Sequence, residues 1–310
     1  MKTVLITGSN GFIGKYVAEY FKEHDWYVIG LGRKEHATDP KCVHRYIQCQ
    51  LGTEKTPMVL KDMVHGQDID AIVHLAADMR KGSNEVDVIA ANCVGLQQLL
   101  DFAKNAKIQT FLQLSSLPVI GSPKFHPITE DHPTDPQTIY HITKCMDEQL
   151  LQFAMDHSTF RTAWFRISSP LGIGMNEQTI FPTFVRQALA NELICILGKG
   201  LRKQNYIYVK DIAKILYQAV IIPGVQGCYN LTGDLLLSNL QLAQKCISRT
   251  GSSSQIQFVG KEDPEENNVW DASLKRLNRD FINLPNTTMD EIIQEYAAYV
   301  LDKKRKGKHA

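Results

Sequence analysis

Along the first half of the chain, short apolar runs alternate with longer segments in which apolar residues recur every three or four positions. The runs are TVLI, WYVIGL, RYIQC, AIVHLA, TFLQLS and TAWFRI, and the helical segments lie near residues 12–24, 54–64, 86–105 and 139–157. Apolar runs that alternate with helices are typical of right-handed crossovers between parallel strands. The pattern therefore predicts an α/β fold, with a doubly wound parallel sheet covered by helices on both faces.

The rhythm changes after residue 168, where prolines, glycines and shorter elements become frequent. In this half we predict strands at LICIL and GCYNL, a strand that continues into a helix at YIYVKDIAKILYQAV, and a helix at NLQLAQKCISRT. We interpret residues 1–168 as one domain and residues 169–310 as a smaller α/β domain, with the chain returning to the first domain around residues 205–231. A cleft between two domains is the usual place for a ligand, so we expect the site there.

Charge and cysteine content narrow the range of partners. The 310 residues include 34 basic and 33 acidic side chains, so a net charge of +1 gives no overall attraction for nucleic acid or an anionic membrane. Seven cysteines without a C-x-x-C pair indicate reduced thiols of a cytoplasmic protein rather than disulfides or a metal site. No run approaches the roughly 20 apolar residues that span a bilayer, and the basic C-terminal KKRKGKHA is interpreted as a solvated end. We expect a small-molecule ligand, and no metal, nucleic acid or membrane.

The first strand leads directly into a glycine-rich turn, ITGSNGFIG. Gly8, Gly11 and Gly14 stand between the strand and the start of the first helix. Glycines at this point allow a tight turn, close approach of backbone N–H groups to a pyrophosphate, and close packing of helix on strand. The positive end of the helix dipole also favours an anion. Because the turn opens an alternating α/β chain, we interpret it as a dinucleotide-binding turn.

With its T-G-x-x-G-x-x-G spacing, the chain resembles the extended short-chain dehydrogenase/reductase family of NAD(P)-dependent nucleotide-sugar epimerases and dehydratases, over nearly its whole length. The resemblance implies a Rossmann-like dinucleotide-binding domain, a smaller substrate domain, and NAD or NADP as cofactor. It assigns cofactor contacts to Gly8, Asn10, Gly11, Phe12, Ile13, Gly14, Arg33, Leu51, Leu75, Ala76, Ala77, Asn92, Tyr140, Lys144 and Pro170.

The end of the second strand bears on the choice between NAD and NADP. An acidic residue there would accept hydrogen bonds from the adenosine ribose and repel a 2′-phosphate. This chain has Gly32, Arg33 and Lys34 instead. Arg33 favours NADP because its guanidinium could pair with a 2′-phosphate. Family epimerases, in contrast, generally retain NAD, so both cofactors stay open.

The segment IYHITK places Tyr140 and Lys144 four residues apart in a predicted helix, so both side chains project from one face. The lysine ammonium favours the phenolate form of Tyr140, which can then accept a proton from a substrate hydroxyl. The resemblance places the catalytic serine five residues before the glycine of VIG, which is Ser116 before Gly121. It also implies that Lys144 holds the nicotinamide ribose.

The residues after Ser116 separate branches of the family. Dehydratases resemble T-D-E there, and a branch that epimerises two carbons has a cysteine, whereas this chain has Leu117 and Pro118, which cannot move a proton. The resemblance therefore favours a nucleotide-sugar 4-epimerase of the UDP-hexose or UDP-N-acetylhexosamine type, which acts by transient oxidation. The alternative is an NADP-dependent keto-sugar reductase. A catalytically inactive dinucleotide-sensing regulator is disfavoured, because the tyrosine and the lysine are both kept.

Substrate contacts are expected at Ser169, Arg202 and Gln204. Ser169 stands where many nucleotide-sugar enzymes have asparagine, and Gln204 stands where the family has a diphosphate-binding arginine. Either Arg202 and Lys203 replace that arginine, or the substrate lacks a diphosphate. The helices over 86–105 and 139–157 resemble those that form the family's dimer interface, so we expect a homodimer.

Overall fold

The computed structural model describes residues 1–63, 68–79 and 84–307. Two of the predictions extend beyond these ranges. The helix expected over 54–64 has its last residue, Val64, outside the described residues, and so do residues 308–310 of the basic C-terminal segment. In the described ranges, no helix is both long enough and apolar enough to cross a bilayer.

A seven-stranded sheet forms the centre of the fold. The strands of the chain are β1 (Thr3–Thr7), β2 (Tyr27–Gly32), β3 (Arg45–Gln48), β4 (Ala71–His74), β5 (Thr110–Ser116), β6 (Arg161–Ile167), β7 (Ser169–Leu171), β8 (Ile194–Ile196), β9 (Lys203–Tyr208), β10 (Gly227–Leu231), β11 (Leu236–Ser238), β12 (Ile256–Phe258) and β13 (Val269–Trp270). The large sheet has the order β10-β6-β5-β4-β1-β2-β3, and all its neighbouring strands are parallel. The order reverses between β1 and β4, which is where doubly wound sheets bind ligands.

Helices cover both faces of this sheet. The helices are α1 (Phe12–Glu23), α2 (Thr56–Met63), α3 (Glu85–Ile89), α4 (Gly95–Asn105), α5 (Ile139–His157), α6 (Ile180–Ala190), α7 (Val209–Ile221), α8 (Asn239–Thr250), α9 (Lys275–Asp280) and α10 (Met289–Gly307). Along β1, Val4 and Ile6 face the core under α1 and α7, whereas Leu5 faces the core under α2, α4 and α5. Because successive side chains of a strand point to opposite faces, a fully buried strand needs apolar residues at every position. The predicted doubly wound α/β fold is confirmed.

A smaller C-terminal unit has its own sheets and its own core. In the mixed sheet, β9 is parallel to β7 and β13 and antiparallel to β11. β8 and β12 form a separate parallel pair. Helices α6, α8 and α10 enclose a core that includes Phe181, Leu242 and Tyr296. The predicted smaller α/β part is therefore present, while β10, from the same half of the chain, lies in the large sheet beside β6.

The helix predicted over 86–105 is not continuous. α3 ends at Ile89, a wide π-type turn follows over Ala90–Val94, and α4 begins at Gly95. Gly52 approaches this turn so closely that a Cβ on it would lie 2.0 Å from the Ala90 carbonyl oxygen. Turns of this kind often occur at functional positions. The apolar pattern runs through the segment without interruption, so the wide turn could not be predicted from it.

A buried ion pair fixes α5 against the large sheet. The Arg166 guanidinium donates to both carboxylate oxygens of Glu148, from Nε at 3.0 Å to Oε1 and from Nη2 at 2.7 Å to Oε2. Ser115 Oγ donates to the same carboxylate at 2.5 Å, and Arg166 Nη1 donates to the Glu130 carbonyl at 2.9 Å. Burial lowers the pKa of Arg166, but the hydrogen bonds to Glu148 and the neighbouring acidic groups together outweigh it and raise the pKa. β5, β6, α5 and the loop before α5 therefore meet at one charged pair.

Replacing Glu148 with glutamine is expected to lower the free energy of unfolding by about 3–5 kcal/mol, because Arg166 would stay buried without its counter-charge. Urea denaturation of the purified protein measures this free energy. Glu192→Gln, at an exposed position, is the matched control and should change the free energy by no more than about 0.5 kcal/mol. Equal losses in the two variants would contradict a stabilising role for the pair.

Candidate active site

A cleft of about 950 Å³ lies beyond the carboxyl ends of β1, β4, β5 and β6 and reaches the C-terminal unit. It brings together most of the site residues that the sequence predicted. The predicted residues in its lining are Gly8, Gly11, Phe12, Ile13, Gly14, Leu75, Ala77, Ser116, Tyr140, Lys144, Ser169, Pro170, Arg202 and Gln204. The lining also includes Glu85, His141, Glu265 and Trp270, which the sequence did not indicate.

The glycine turn after β1 has the shape that an anion-binding turn requires. Gly8 has a φ of +71°, and a Cβ on it would lie 2.7 Å from the backbone nitrogen of Ala76. A Cβ on Gly14 would lie 2.1 Å from the Gly8 carbonyl oxygen, so α1 can approach β1 this closely only with glycine at that position. Gly11 is the N-cap of α1 and provides no side-chain hydrogen bond to the first turn. The backbone N–H groups in the first turn of α1 are therefore available to an anion, which fits a dinucleotide pyrophosphate.

Thr7 joins the ends of β1 and β4 beneath this turn. Its Oγ1 accepts hydrogen bonds from the backbone nitrogens of Leu75 at 3.1 Å and Ala76 at 3.2 Å, and it lies 2.6 Å from Nδ1 of His74. Because the oxygen already accepts twice, we assign its proton to the bond with His74. Burial, with a smaller effect of the Lys144 charge, lowers the pKa of His74 to about 3. His74 is therefore a neutral, packed residue.

Ser116 and Tyr140 present their hydroxyl groups to the cleft from two different elements. Ser116 ends β5, and Tyr140 lies in the first turn of α5, where Thr138 caps the helix by accepting from the backbone nitrogen of His141. Both residues are half-buried. Within the part of the chain that the structure describes, neither hydroxyl has a hydrogen-bond partner. Both are therefore available to bind an oxygen of a ligand.

Lys144 lies one turn further along α5 and is almost completely buried. Its Nζ lies 6.0 Å from the centroid of the Tyr140 ring and 3.2 Å from Oδ2 of Asp147. Gln113 on β5 donates to the same Oδ2 at 2.7 Å. Burial lowers the pKa of Lys144, but Asp147 and then Tyr140 outweigh it and raise the pKa, so the side chain is an ammonium. Asp147 did not emerge from the sequence, although its i,i+3 spacing from Lys144 was a possible signal.

Asn92 lies in the wide turn between α3 and α4, and it does not reach the cleft. It is completely buried, and its Oδ1 accepts from the backbone nitrogen of Asp78 at 2.7 Å. Its Nδ2 donates to the Asp78 carbonyl at 3.0 Å and to Thr143 Oγ1 at 2.9 Å. Asn92 therefore connects the loop after β4 to the residue that precedes Lys144.

Four further predicted cofactor contacts lie outside the lining of the cleft: Asn10, Arg33, Leu51 and Ala76. Leu51 belongs to the core on the α4 side of the sheet. Ala76 contributes its backbone nitrogen to the bond with Thr7. Asn10 uses its side chain to hold the loop after β2, accepting from the backbone nitrogen of Thr38 at 2.7 Å and donating to the Tyr46 hydroxyl at 2.9 Å.

Arg33 follows β2, and its side chain extends toward the loop after β4. Its Nη1 lies 3.7 Å from Oδ2 of Asp78, and slightly more than half of the Arg33 side chain is exposed, whereas Asp78 is buried. A carboxylate thus stands next to the one residue that favoured NADP in the sequence. The charge of Arg33 is at least partly balanced by Asp78 before any phosphate binds.

The C-terminal side of the cleft contains a hydrogen-bonded chain and an ion pair. Ser169 Oγ donates to Gln204 Oε1 at 2.9 Å, and Gln204 Nε2 donates to the Tyr206 hydroxyl at 2.7 Å. Arg202 Nη2 lies 2.6 Å from Oε2 of Glu265. Gln204 is therefore occupied at both ends of its amide, and the nearest cation in the lining is Arg202.

The two residues that follow Ser116 have no ionisable side chain. Leu117 and Pro118 follow it in the lining, and neither side chain can exchange a proton. In residues 1–63, 68–79 and 84–307, no three histidine, cysteine, aspartate or glutamate side chains are grouped so that they could hold a metal ion.

Known proteins are similar to this chain in sequence and in fold. The chain is 28% identical over 269 residues to the low-salt glycan biosynthesis protein Agl12 of Haloferax volcanii, covering 83% of this chain and 85% of that protein. Its fold is similar to that of UDP-N-acetylglucosamine 4-epimerase from Methanobrevibacter ruminantium in complex with UDP-N-acetylmuramic acid, with a TM-score of 0.84, 20% identity and coverage of 97% and 99% of the two chains. It is also similar to dTDP-glucose 4,6-dehydratase from Bacillus anthracis in complex with NAD, with a TM-score of 0.83, 19% identity and 98% coverage of each chain.

A family model gives the broader assignment. The model described as the NAD dependent epimerase/dehydratase family matches residues 4–225, which include the glycine turn, Ser116, Tyr140 and Lys144. The match extends over well more than half of the chain and includes the strands of the large sheet except β10 and the first residue of β1. The chain therefore belongs to the NAD dependent epimerase/dehydratase family.

Proposed function

We propose that this protein is a nucleotide-sugar 4-epimerase acting on UDP-hexoses or UDP-N-acetylhexosamines. The observation that carries the proposal is the composition of the cleft next to the glycine turn. It presents the Ser116 and Tyr140 hydroxyls with Lys144 beside them, while the neighbouring Leu117 and Pro118 offer no acid or base for dehydration. The similarity to a solved UDP-N-acetylglucosamine 4-epimerase supports the same class of substrate.

The glycine turn and the N-terminus of α1 would hold the pyrophosphate of the cofactor, and Lys144 would hold its nicotinamide ribose. When bound, the cofactor accepts a hydride from the sugar carbon and returns it to the opposite face. Tyr140, as phenolate, accepts the proton of the C4 hydroxyl while the ketone forms, and it returns that proton to the same oxygen afterwards. Ser116 donates a hydrogen bond to this oxygen in both directions. Atoms and charge balance over the cycle, so no net oxidant is needed.

We infer that the cofactor is NAD. The family is named for NAD dependence, and the similar Bacillus anthracis enzyme was solved with NAD. In this chain, the Asp78 carboxylate lies 3.7 Å from the Arg33 guanidinium, so a 2′-phosphate would have to share this cation with Asp78. The mass of the nucleotide released from the denatured protein tests this inference directly.

Purified protein with NAD should interconvert UDP-glucose and UDP-galactose, or their N-acetyl forms, without accumulating NADH. Tyr140→Phe should lower kcat by about 10²–10⁴-fold, because the proton acceptor is lost while the ring remains. Tyr299→Phe, outside the cleft lining, is the matched control and should leave kcat unchanged. Product sugars are separated and quantified by chromatography. Failure to interconvert any of these pairs would refute the proposal.

Other outcomes of the same assay identify the alternatives. A keto-sugar reductase would consume added NADPH in proportion to product. A dehydratase, as in several relatives, would release water from the sugar of dTDP-glucose, which mass spectrometry detects. A dinucleotide-sensing regulator would bind the cofactor without any turnover that depends on Tyr140.

We further propose that Arg202 binds the substrate diphosphate in place of the family's arginine at Gln204. Arg202 lies in the lining, whereas Lys203 does not. The Glu265 carboxylate, 2.6 Å from the Arg202 guanidinium, must give up part of this contact when a diphosphate binds. Glu265 would thus compete with the substrate for the same cation.

Arg202→Ala should raise KM for the nucleotide sugar by about 10–100-fold, which corresponds to the loss of a hydrogen bond to a charged group. Glu265→Gln should lower KM, because the competing charge is removed. Lys203→Ala is the control and should leave KM unchanged. Initial rates over a range of substrate concentrations give the three values. A substrate without a diphosphate would leave KM unaffected in Arg202→Ala.

The proposed enzyme forms a homodimer through an apolar helix face made by Val86, Ile89, Ile142, Met146 and Phe153. These side chains lie on α3 and α5 and are all more than 40% exposed. On α5 their spacing of four and seven residues places them on one side of the helix. A second copy that packs the same face against this one would bury them.

Met146→Lys should convert the dimer to a monomer, because it places a charge at the centre of the apolar helix face. Light scattering of the eluting protein measures the mass. Leu193→Lys, at an exposed apolar position on the C-terminal unit, is the control and should leave the mass at two chains. A mass of one chain for the unmodified protein would refute the dimer.

A further inference from the structure

A closed polar cluster lies behind Lys144, on the side away from the cleft. Asp147 is completely buried, and its Oδ2 accepts from Lys144 Nζ at 3.2 Å and from Gln113 Nε2 at 2.7 Å. Cys93, from the wide turn before α4, and His74, at the end of β4, complete the surroundings. Asp147 itself does not line the cleft, so it can act on a ligand only through Lys144.

The two neighbours of this ion pair carry no charge near neutral pH. Burial lowers the pKa of His74 to about 3, which leaves the ring neutral. Burial, and after it Asp147, raises the pKa of the Cys93 thiol to about 12. Glu148, the next carboxylate on α5, is already paired with Arg166. Burial raises the pKa of Asp147, and its contacts with Lys144 and Gln113 oppose that rise. The 3.2 Å contact between Lys144 Nζ and Asp147 Oδ2 is that of an ion pair, and Tyr140 is the other ionisable side chain that acts strongly on Lys144.

We propose that Asp147 is a positioning residue that holds the Lys144 ammonium in place and cancels its charge at the nicotinamide end of the cleft. This inference rests on the proposed function, in which Lys144 holds the nicotinamide ribose. The oxidised nicotinamide ring is positively charged and the reduced ring is neutral. An ammonium without a counter-charge would therefore weaken binding of the oxidised cofactor and leave the reduced form unaffected.

Balanced binding of the two forms suits an epimerase. The site must hold the oxidised cofactor before the sugar is oxidised and the reduced cofactor until the ketone is reduced again. A strong preference for either form would slow one of the two half-reactions. The Asp147 carboxylate would supply this balance without touching the cofactor.

The test compares the dissociation constants of NAD and NADH, measured by titration calorimetry without substrate. In Asp147→Asn, the ratio of the NAD constant to the NADH constant should rise by roughly tenfold, because Lys144 loses its counter-charge. Asp156→Asn, at an exposed position near the end of the same helix, is the matched control and should leave the ratio unchanged. An unchanged ratio in folded Asp147→Asn would mean that the charge of the Asp147 carboxylate does not affect cofactor binding. This result would overturn the inference.

A double variant decides the question if Asp147→Asn does not fold. Lys144→Met combined with Asp147→Asn removes both charges together, which buried ion pairs tolerate better than the loss of one partner. If the pair is neutral toward the cofactor, this variant should keep the unmodified ratio within about twofold, since both charges leave together. A shift of the ratio in favour of NAD would show that the Lys144 charge was not cancelled, and would overturn the inference.

The binding data also separate this inference from the proposed function. Unmodified protein that binds neither NAD nor NADH would refute the proposed function and the inference together. Unmodified protein that binds both and interconverts UDP-sugars, with a ratio that the variants do not change, would refute the inference alone.

Discussion

The Glu148–Arg166 ion pair determines where α5 lies, and the geometry of the cleft depends on α5. Tyr140, Lys144 and Asp147 all belong to this helix, and Ser116 follows directly after Ser115, which donates to the Glu148 carboxylate. A shift of α5 along the sheet would move the tyrosine and the lysine together and leave the serine behind. The pair is buried and joins two strands, one helix and one loop, so such a shift would break several charged hydrogen bonds at once.

Around the cleft, arginine and lysine side chains are matched with carboxylates. Lys144 is paired with Asp147, Arg202 with Glu265, and Arg33 with Asp78. The Arg202 pair stands at the edge of the cleft, where a ligand can replace the carboxylate. The Lys144 pair is buried, where no ligand can replace it. A ligand can therefore compete with Glu265 for Arg202, whereas Lys144 stays paired with Asp147 when a ligand binds.

The sequence allowed predictions for residues whose role depends on their near neighbours in the chain. The glycine turn follows from backbone geometry within a few residues, and the spacing of Tyr140 and Lys144 follows from the helix that contains them. The doubly wound sheet could be predicted because each of its central strands contains a short apolar run, such as residues 4–6 of β1 and 71–73 of β4. β7, with three residues, and β13, with two, are too short to show any period, so they were missed.

Residues whose role depends on contacts with distant parts of the chain could not be predicted from the sequence. Glu265 reaches Arg202 across more than 60 residues of sequence, and nothing near either residue indicates the other. Leu51 and Asn10 were expected at the cofactor through the family resemblance. In the structure, Leu51 packs in the core and the Asn10 side chain bonds to the loop after β2, and their contacts with a cofactor stay predictions.

The position of β10 has a consequence for how the protein is assembled. β10 follows β7, β8 and β9 of the C-terminal unit, and yet it pairs with β6 through all five of its residues in the large sheet. Without it, the backbone of β6 would form an open edge, with unpaired N–H and C=O groups. The part of the chain that would hold the cofactor therefore has no complete sheet until β7, β8 and β9 of the other part have been synthesised. The two sides of the cleft therefore depend on the same large sheet. The pairing of β10 with β6, rather than a linker, determines how they are placed relative to each other.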